Sequence, residues 1–144
     1  DPFLSADKIR DLGATPVSFE ALLQQSDFVT LHVPMTKETR NLFGAQTLAK
    51  MKEGSYLINC ARGGLVDEDA LYEALALGRL AGAALDVFTL EPPGENKLLA
   101  LDNFICTPHL GASTLEAQIN VAVAVAEQMI QYLKTGRTVN AVNA

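Results

Sequence analysis

Basic residues are scarce. Eleven Lys and Arg stand against 17 Asp and Glu in 144 residues, a formal net charge of −6. That balance argues against a nucleic-acid partner, because phosphate recognition needs a basic face that releases counterions. It leaves room for one phosphate-bearing small molecule held locally. Long hydrophobic runs are missing too. The longest purely apolar stretch is Val121 to Ala126, far short of the roughly 20 residues of a membrane span, so no membrane partner is expected. Cysteine is limited to Cys60 and Cys106, too few for a disulfide framework. Each lies in an apolar, strand-like run, where a reduced and buried thiol is expected. No secretory signal and no Asn-x-Ser/Thr sequon occur, so a reducing cytoplasm is the expected compartment. The two histidines, His32 and His109, are far apart and lack spaced Cys or acid partners, so no metal site is expected. G-x-G-x-x-G and Walker patterns are absent as well, and spacing alone does not establish a nucleotide site.

What is present is a core. Apolar residues make up 49% of the chain, too many for a disordered polypeptide. Strand-length apolar runs alternate with helical periods. Thr15–Val17 is a short extended run before Ser18, the expected N-cap of a helix over Phe19–Gln25. Phe28–Val33 reads as a strand stopped by Pro34, Lys37–Phe43 as loop, and Ala45–Met51 as a short helix. Tyr56–Asn59 is the next strand. Asp67, Glu68 and Asp69 then open a helix that ends at Gly78, acids at its positive end and glycine at its stop. Gly82–Val87 and Asn103–Thr107 complete the strands. A long helix follows, with Ser113 and Glu116 in capping-box spacing, Ile119, Val123, Ala126, Ile130 and Leu133 as its packing face, and Gly136 at its end. The pattern predicts an α/β fold with a mostly parallel sheet, covered on both faces. The chain opens Asp-Pro-Phe without Met, and is expected to be a piece of a longer polypeptide.

In open α/β sheets, ligands bind at the carboxyl ends of the strands. The predicted strands lead into His32 and Pro34, then Arg62, then Asp86 and Glu91, then His109. A guanidinium that clamps a carboxylate, an imidazole that titrates near neutrality and an acid that orients it make a coherent set. His109 is followed by Gly111-Ala112 and a helix start, a setting that favours anions. Each residue alone has a plainer reading: Arg62 as an ion-pair former, Glu91 as a solvated loop acid, His32 as a satisfied sheet-edge histidine. Cys60 has no basic neighbour on its N-terminal side and is not expected to be a nucleophile.

Four ordered motifs span nearly the whole chain: Asn59-Cys60-Ala61-Arg62-Gly63-Gly64-Leu65-Val66-Asp67-Glu68, Ala83 to Phe88, Glu91-Pro92-Pro93, and Pro108-His109-Leu110-Gly111-Ala112-Ser113-Thr114. Together they resemble the D-2-hydroxyacid dehydrogenase family. The Gly-Ala-Ser-Thr run, the following Glu116-Ala117-Gln118 and the closing Val142-Asn143-Ala144 are most similar to the branch that oxidises 3-phospho-D-glycerate. The resemblance implies an NAD-dependent oxidoreductase with a Rossmann-type cofactor domain inserted in a discontinuous substrate domain. This chain would hold the second half of that doubly wound parallel sheet. Residues 1–112 would be the C-terminal portion of the NAD-binding domain. Residues 113–144 would be the connecting helix and the return to a substrate domain absent from the chain, and the glycine-rich fingerprint would lie upstream of Asp1.

By the same resemblance, Asp1 would bind the adenosine ribose and select NAD over its 2′-phosphorylated relative, since a carboxylate repels an added phosphate. His32, Val33 and Pro34, then Cys60, Ala61 and Arg62, then Asp86, and finally His109, Leu110, Gly111 and Ala112 would line the cofactor, with Asp86 near the nicotinamide amide. Val33 stands where many members carry Thr, and Leu90 replaces an acid common before the Glu. His109 would take the substrate hydroxyl proton, Glu91 would hold the imidazole and favour its protonated form, and Arg62 would bind the substrate carboxylate. A small 2-hydroxy or 2-keto acid and further copies of the same chain are the implied partners. Glyoxylate, hydroxypyruvate or lactate as substrate, and a non-enzymatic NAD-sensing module, remain open alternatives.

Overall fold

The computed structural model describes residues 4–111 and 113–141. In order these form α1 (Ala6–Asp11), α2 (Phe19–Gln25), β1 (Phe28–Leu31), α3 (Ala45–Lys50), β2 (Tyr56–Asn59), α4 (Glu68–Ala76), β3 (Gly82–Leu85), a 3-10 turn over Lys97–Ala100, β4 (Phe104–Cys106) and α5 (Leu115–Thr135). The chain divides into two units, residues 1–108 and 109–144.

The first unit is built on one sheet. Its four strands run parallel in the order β1-β2-β3-β4, the succession expected for one half of a doubly wound fold. In register, Val29, Leu57, Ala83 and Phe104 form one row, and Leu31, Asn59, Leu85 and Cys106 another. Side chains alternate across a strand, so these rows share one face. That face is the core, where Leu57, Leu65, Leu71, Leu80 and Leu98 are fully buried. Helices of six to nine residues are too short to persist alone. Helices α2, α3 and α4 stand here because Leu23 of α2, Leu48 of α3, and Leu71 and Leu75 of α4 are buried. Each such leucine contributes about 1.5–3 kcal/mol by leaving water. The expected cap forms at Ser18, whose Oγ accepts from Ala21 N–H. Of the three acids expected at the start of α4 it is Asp67 that caps it, a carboxylate oxygen accepting from Ala70 N–H.

The opposite face differs from expectation. Phe28, Tyr56 and Ile105 remain 64%, 40% and 69% exposed, and the first two stack with ring centroids 4.9 Å apart. A near-continuous apolar run describes what a strand tolerates on both sides, not how many sides this chain covers. Both cysteines also depart from the buried reading. Cys60 is the first residue beyond β2 and Cys106 the last of the edge strand β4, and each is exposed. Thr15–Val17, read as an extended run, joins no ladder among the described residues. Helix α1 and the 3-10 turn were not expected from the sequence; both are single turns capped by side chains, Ser5 and Asn96.

In the second unit, α5 ends as expected at Gly136, whose φ of +68° suits a residue without Cβ. Its start is shifted by one residue. Thr114, not Ser113, is the N-cap, accepting from Ala117 N–H, while the Ser113 hydroxyl donates to the His109 carbonyl. The apolar stripe assigned to packing is exposed: Ile119, Val123 and Ile130 are about half accessible and Leu133 is 79% accessible. Helical periodicity marks an amphipathic face, and does not state that its cover lies in the same chain.

Candidate active site at the carboxyl edge of the sheet

Because all four strands are parallel, their carboxyl ends share one edge. In the first unit this places His32–Pro34 beyond β1, Cys60–Arg62 beyond β2, Asp86 beyond β3 and Thr107 beyond β4. Beyond β1, His32 is exposed, with Nε2 3.0 Å from Thr30 Oγ1. Val33 packs half-buried against the core, and the Pro34 carbonyl accepts from the Thr39 hydroxyl at 2.7 Å.

The exit from β2 is held by one buried amide. Asn59 Nδ2 donates to the Arg62 carbonyl at 2.9 Å, and its Oδ1 accepts from Ala61 N–H at 3.0 Å. A side chain that ties down the second and third residues after its own strand sets the path of Cys60–Arg62. Arg62 is exposed, donates from Nη1 to the Ala61 carbonyl at 2.6 Å, and joins no ion pair among the described residues. The plainer reading of Arg62 as an ion-pair former therefore has no partner there. Asn59→Ala is expected to lose about 1–3 kcal/mol, the cost of stranding buried polar groups. Denaturant unfolding of the two proteins measures it.

Gly63 follows, and its backbone runs against the loop beyond β3. A Cβ at Gly63 would lie 1.9 Å from the Phe88 carbonyl oxygen. That second loop is anchored elsewhere too: Glu68 accepts from Thr89 N–H at 2.7 Å and from Asn96 Nδ2 at 2.6 Å. Within the loop, Glu91 Oε1 accepts from Phe88 N–H at 3.0 Å, and the Glu91–Pro92 peptide is cis.

Asp86 is 5% exposed, the buried carboxylate of this edge. Its N–H donates to the Asn59 carbonyl at 3.0 Å, extending the ladder one residue past β3. The Thr107 hydroxyl donates to Asp86 Oδ1. Asn59, Glu68 and Thr107 escaped the sequence reading. A polar residue closing an apolar strand run was the available signal for the first and last; nothing local marks Glu68, whose partners lie 21 and 28 residues away.

His109, Leu110 and Gly111 belong to the second unit, whereas Arg62, Asp86 and Glu91 belong to the first. His109 has φ +57°, a left-handed conformation uncommon for residues other than glycine and often found at functional positions. The turn closes with Ser113 N–H donating to the Leu110 carbonyl at 2.9 Å. Asp1 and Ala112 lie outside the described residues.

A surface cavity of about 390 Å³ is lined by Asp67, Glu68, Asp69 and Lys97 among others, and by none of Arg62, Asp86, Glu91 or His109. Those three acids are engaged in capping, loop anchoring and a 2.9 Å ion pair between Asp69 and Lys97. They brace the fold. No group of three or more His, Cys, Asp or Glu suited to a metal is found among the described residues, and no described helix is long and apolar enough to cross a membrane.

The family model of the D-isomer specific 2-hydroxyacid dehydrogenase NAD binding domain matches residues 1–111. The chain is 51% identical over 143 residues to a D-3-phosphoglycerate dehydrogenase of Bacillus subtilis, covering 99% of this chain and 27% of that protein. A glyoxylate reductase from Paecilomyes thermophila superposes with a TM-score of 0.88 at 36% identity, covering 97% of this chain and 42% of that one. An NAD-dependent formate dehydrogenase from Staphylococcus aureus, solved in complex with NAD, superposes with a TM-score of 0.81 at 38% identity, covering 88% and 39%. The chain thus spans about a quarter of the length of the curated relative it matches. With a family model matched over residues 1–111 and solved structures superposing on the same parallel sheet, the chain belongs to the D-isomer specific 2-hydroxyacid dehydrogenase family, in its NAD binding domain.

Proposed function

We propose that the whole protein oxidises 3-phospho-D-glycerate to 3-phosphohydroxypyruvate with NAD, at the entry to serine synthesis. The observation that carries this is the carboxyl edge itself, an exposed guanidinium and a buried carboxylate beyond neighbouring strands. Identity of 51% to a D-3-phosphoglycerate dehydrogenase supports the choice of acid.

The edge residues fit NAD. Asp86 is an acceptor-only group that favours N–H donors such as a carboxamide, and the backbone of Cys60 and Ala61 offers a wall held by Asn59. His32, Val33, Pro34, Leu110, Gly111 and Ala112 complete the proposed lining. When bound, NAD supplies the hydride acceptor at C4 of its nicotinamide. The chain supplies position and proton handling. Arg62 binds the substrate carboxylate through its two-pronged donor geometry. His109 accepts the hydroxyl proton, and Glu91 orients its imidazole. In the first unit, Asn59 keeps Arg62 where its guanidinium reaches solvent rather than an internal acid. Residues 113–144 form the connection to a substrate domain, and the protein works as a homo-oligomer in the cytoplasm.

The glyoxylate reductase likeness favours one second reading, a glyoxylate or hydroxypyruvate reductase. Steady-state assays of the whole protein separate the two. Turnover of 3-phospho-D-glycerate with NAD is expected, and preferential reduction of glyoxylate or hydroxypyruvate overturns the substrate assignment. The same assays test Asp1: kcat/KM with NAD is expected to exceed that with NADP several-fold, and Asp1→Ala to narrow the gap. Equal use of both cofactors removes Asp1 from the site.

A further inference from the structure

We propose that Thr107 is a positioning residue, whose hydroxyl sets the orientation in which Asp86 meets the nicotinamide end of the cofactor. The inference rests on the proposed NAD site and adds a residue to it.

Asp86 is buried, and a carboxylate taken from water is tolerated only when donors meet its oxygens. One donor is the Thr107 hydroxyl, bound to Oδ1. Neither end of that bond is loose. Asp86 N–H is held by the Asn59 carbonyl at 3.0 Å, and Thr107 N–H by the Leu85 carbonyl at 3.1 Å. Both residues therefore sit one step past their strands with backbones still locked into the parallel ladder. The hydroxyl bridges β3 to β4 at the carboxyl edge, where ligands of such sheets bind. Threonine suits the task, because branching at Cβ restricts χ1 and leaves the hydroxyl few directions.

A bond made only to satisfy a buried carboxylate could lie anywhere in the core. This one lies at the ligand edge and fixes the rotation of an acceptor. A carboxylate held in one rotation offers its lone pairs along fixed directions, which matters for an amide N–H and little for a group without one. Thr107 also precedes Pro108 and His109 in the chain. The segment that orients the cofactor-facing acid thus leads directly into the proposed proton acceptor.

The experiment is a binding titration on the whole protein, with NADH and with the reduced 3-acetylpyridine analogue, whose methyl ketone lacks the amide N–H. Calorimetry reads affinity without turnover. Thr107→Val, which keeps the shape and loses the donor, is expected to weaken NADH binding about tenfold, the scale of one hydrogen bond to a charged group. Affinity for the analogue is expected to change less than twofold, and Thr107→Ser to restore most NADH affinity. Thr107→Ala serves the same comparison if the valine variant does not fold. Equal losses for both ligands, or no loss for either, overturn the positioning role while leaving the NAD site standing. Failure of the unsubstituted protein to bind NADH overturns the cofactor reading itself, and this role with it.

Discussion

Replacing His109 with Gln in the whole protein is expected to lower kcat by roughly 10²–10⁴-fold, the usual worth of a positioned proton-transfer group. NAD affinity should change little, because the imidazole acts on the substrate hydroxyl. The chain carries an internal control in its other histidine. His32 is exposed beyond the edge strand β1 and lies beside Thr30. His32→Gln should therefore move stability or cofactor affinity, with kcat at saturation retained. Leu110 and Gly111 follow His109 in a turn entered through its φ of +57°, so His109→Asn, which tolerates that backbone, separates loss of the imidazole from loss of the turn. It should be as inactive as the Gln variant. Steady-state kcat for the three variants decides the matter. If His32→Gln abolishes the chemical step while His109→Gln keeps it, the proposed site is wrong, whatever the family.

The fold class was legible because its signal is repeated. Four apolar runs separated by helical periods specify an α/β domain, and Tyr56–Asn59 is a strand with the bounds its composition predicts. Strand ends were less legible. The run Phe28–Val33 reads as six residues, yet pairing stops at Leu31, since β2 ends at Asn59 opposite it. Strand order was unreadable, because neighbours are chosen by contacts between residues some 25 positions apart. The Ser18 cap was legible from its place before a helical period, and it forms. Asp67 was legible only as one of three acids at a helix start, and the structure makes it the N-cap. At Ser113-Thr114 two adjacent hydroxyls competed, and the geometry of the turn from His109 decided for Thr114.

The site divides along the same line. Residues that carry charge at a strand end, Arg62 and Asp86, declare themselves by type. Residues that aim them do not: Asn59 and Thr107 look like ordinary polar strand ends, and their roles depend on a carbonyl or carboxylate brought near by the ladder. Gly63 and Gly64 look alike in the sequence as well. One is needed for space and the other for its backbone angle, a distinction that only coordinates make.

That distinction carries the second large effect. Gly63→Ala is expected to cost at least about 3 kcal/mol, the upper end for forcing atoms into a packed site. The added Cβ would meet the Phe88 carbonyl carbon at 2.4 Å as well as its oxygen at 1.9 Å. Backbone cannot step aside as a long side chain can, so one of the two loops must move. Gly64→Ala meets only side-chain ends, Met35 Cε at 3.4 Å and Arg40 Nη1 at 4.0 Å, and its penalty comes from a φ of +79°. That conformation costs an L-residue about 1–2 kcal/mol. The difference should be larger still in catalysis. Gly63 follows Arg62 directly, and Phe88 N–H is the donor to Glu91, so parting the loops displaces the proposed carboxylate clamp and the proposed orienting acid together. A misplacement of about 1 Å costs on the order of 10²-fold in rate. Gly63→Ala should therefore lower kcat/KM by about that factor in the fraction that folds, while Gly64→Ala stays within about tenfold of the unsubstituted protein, since it strains one residue without parting the loops. Denaturant unfolding and kcat/KM on the two variants give the comparison. Equal penalties at the two glycines would mean that the contact between the Arg62 loop and Phe88 does not hold the site.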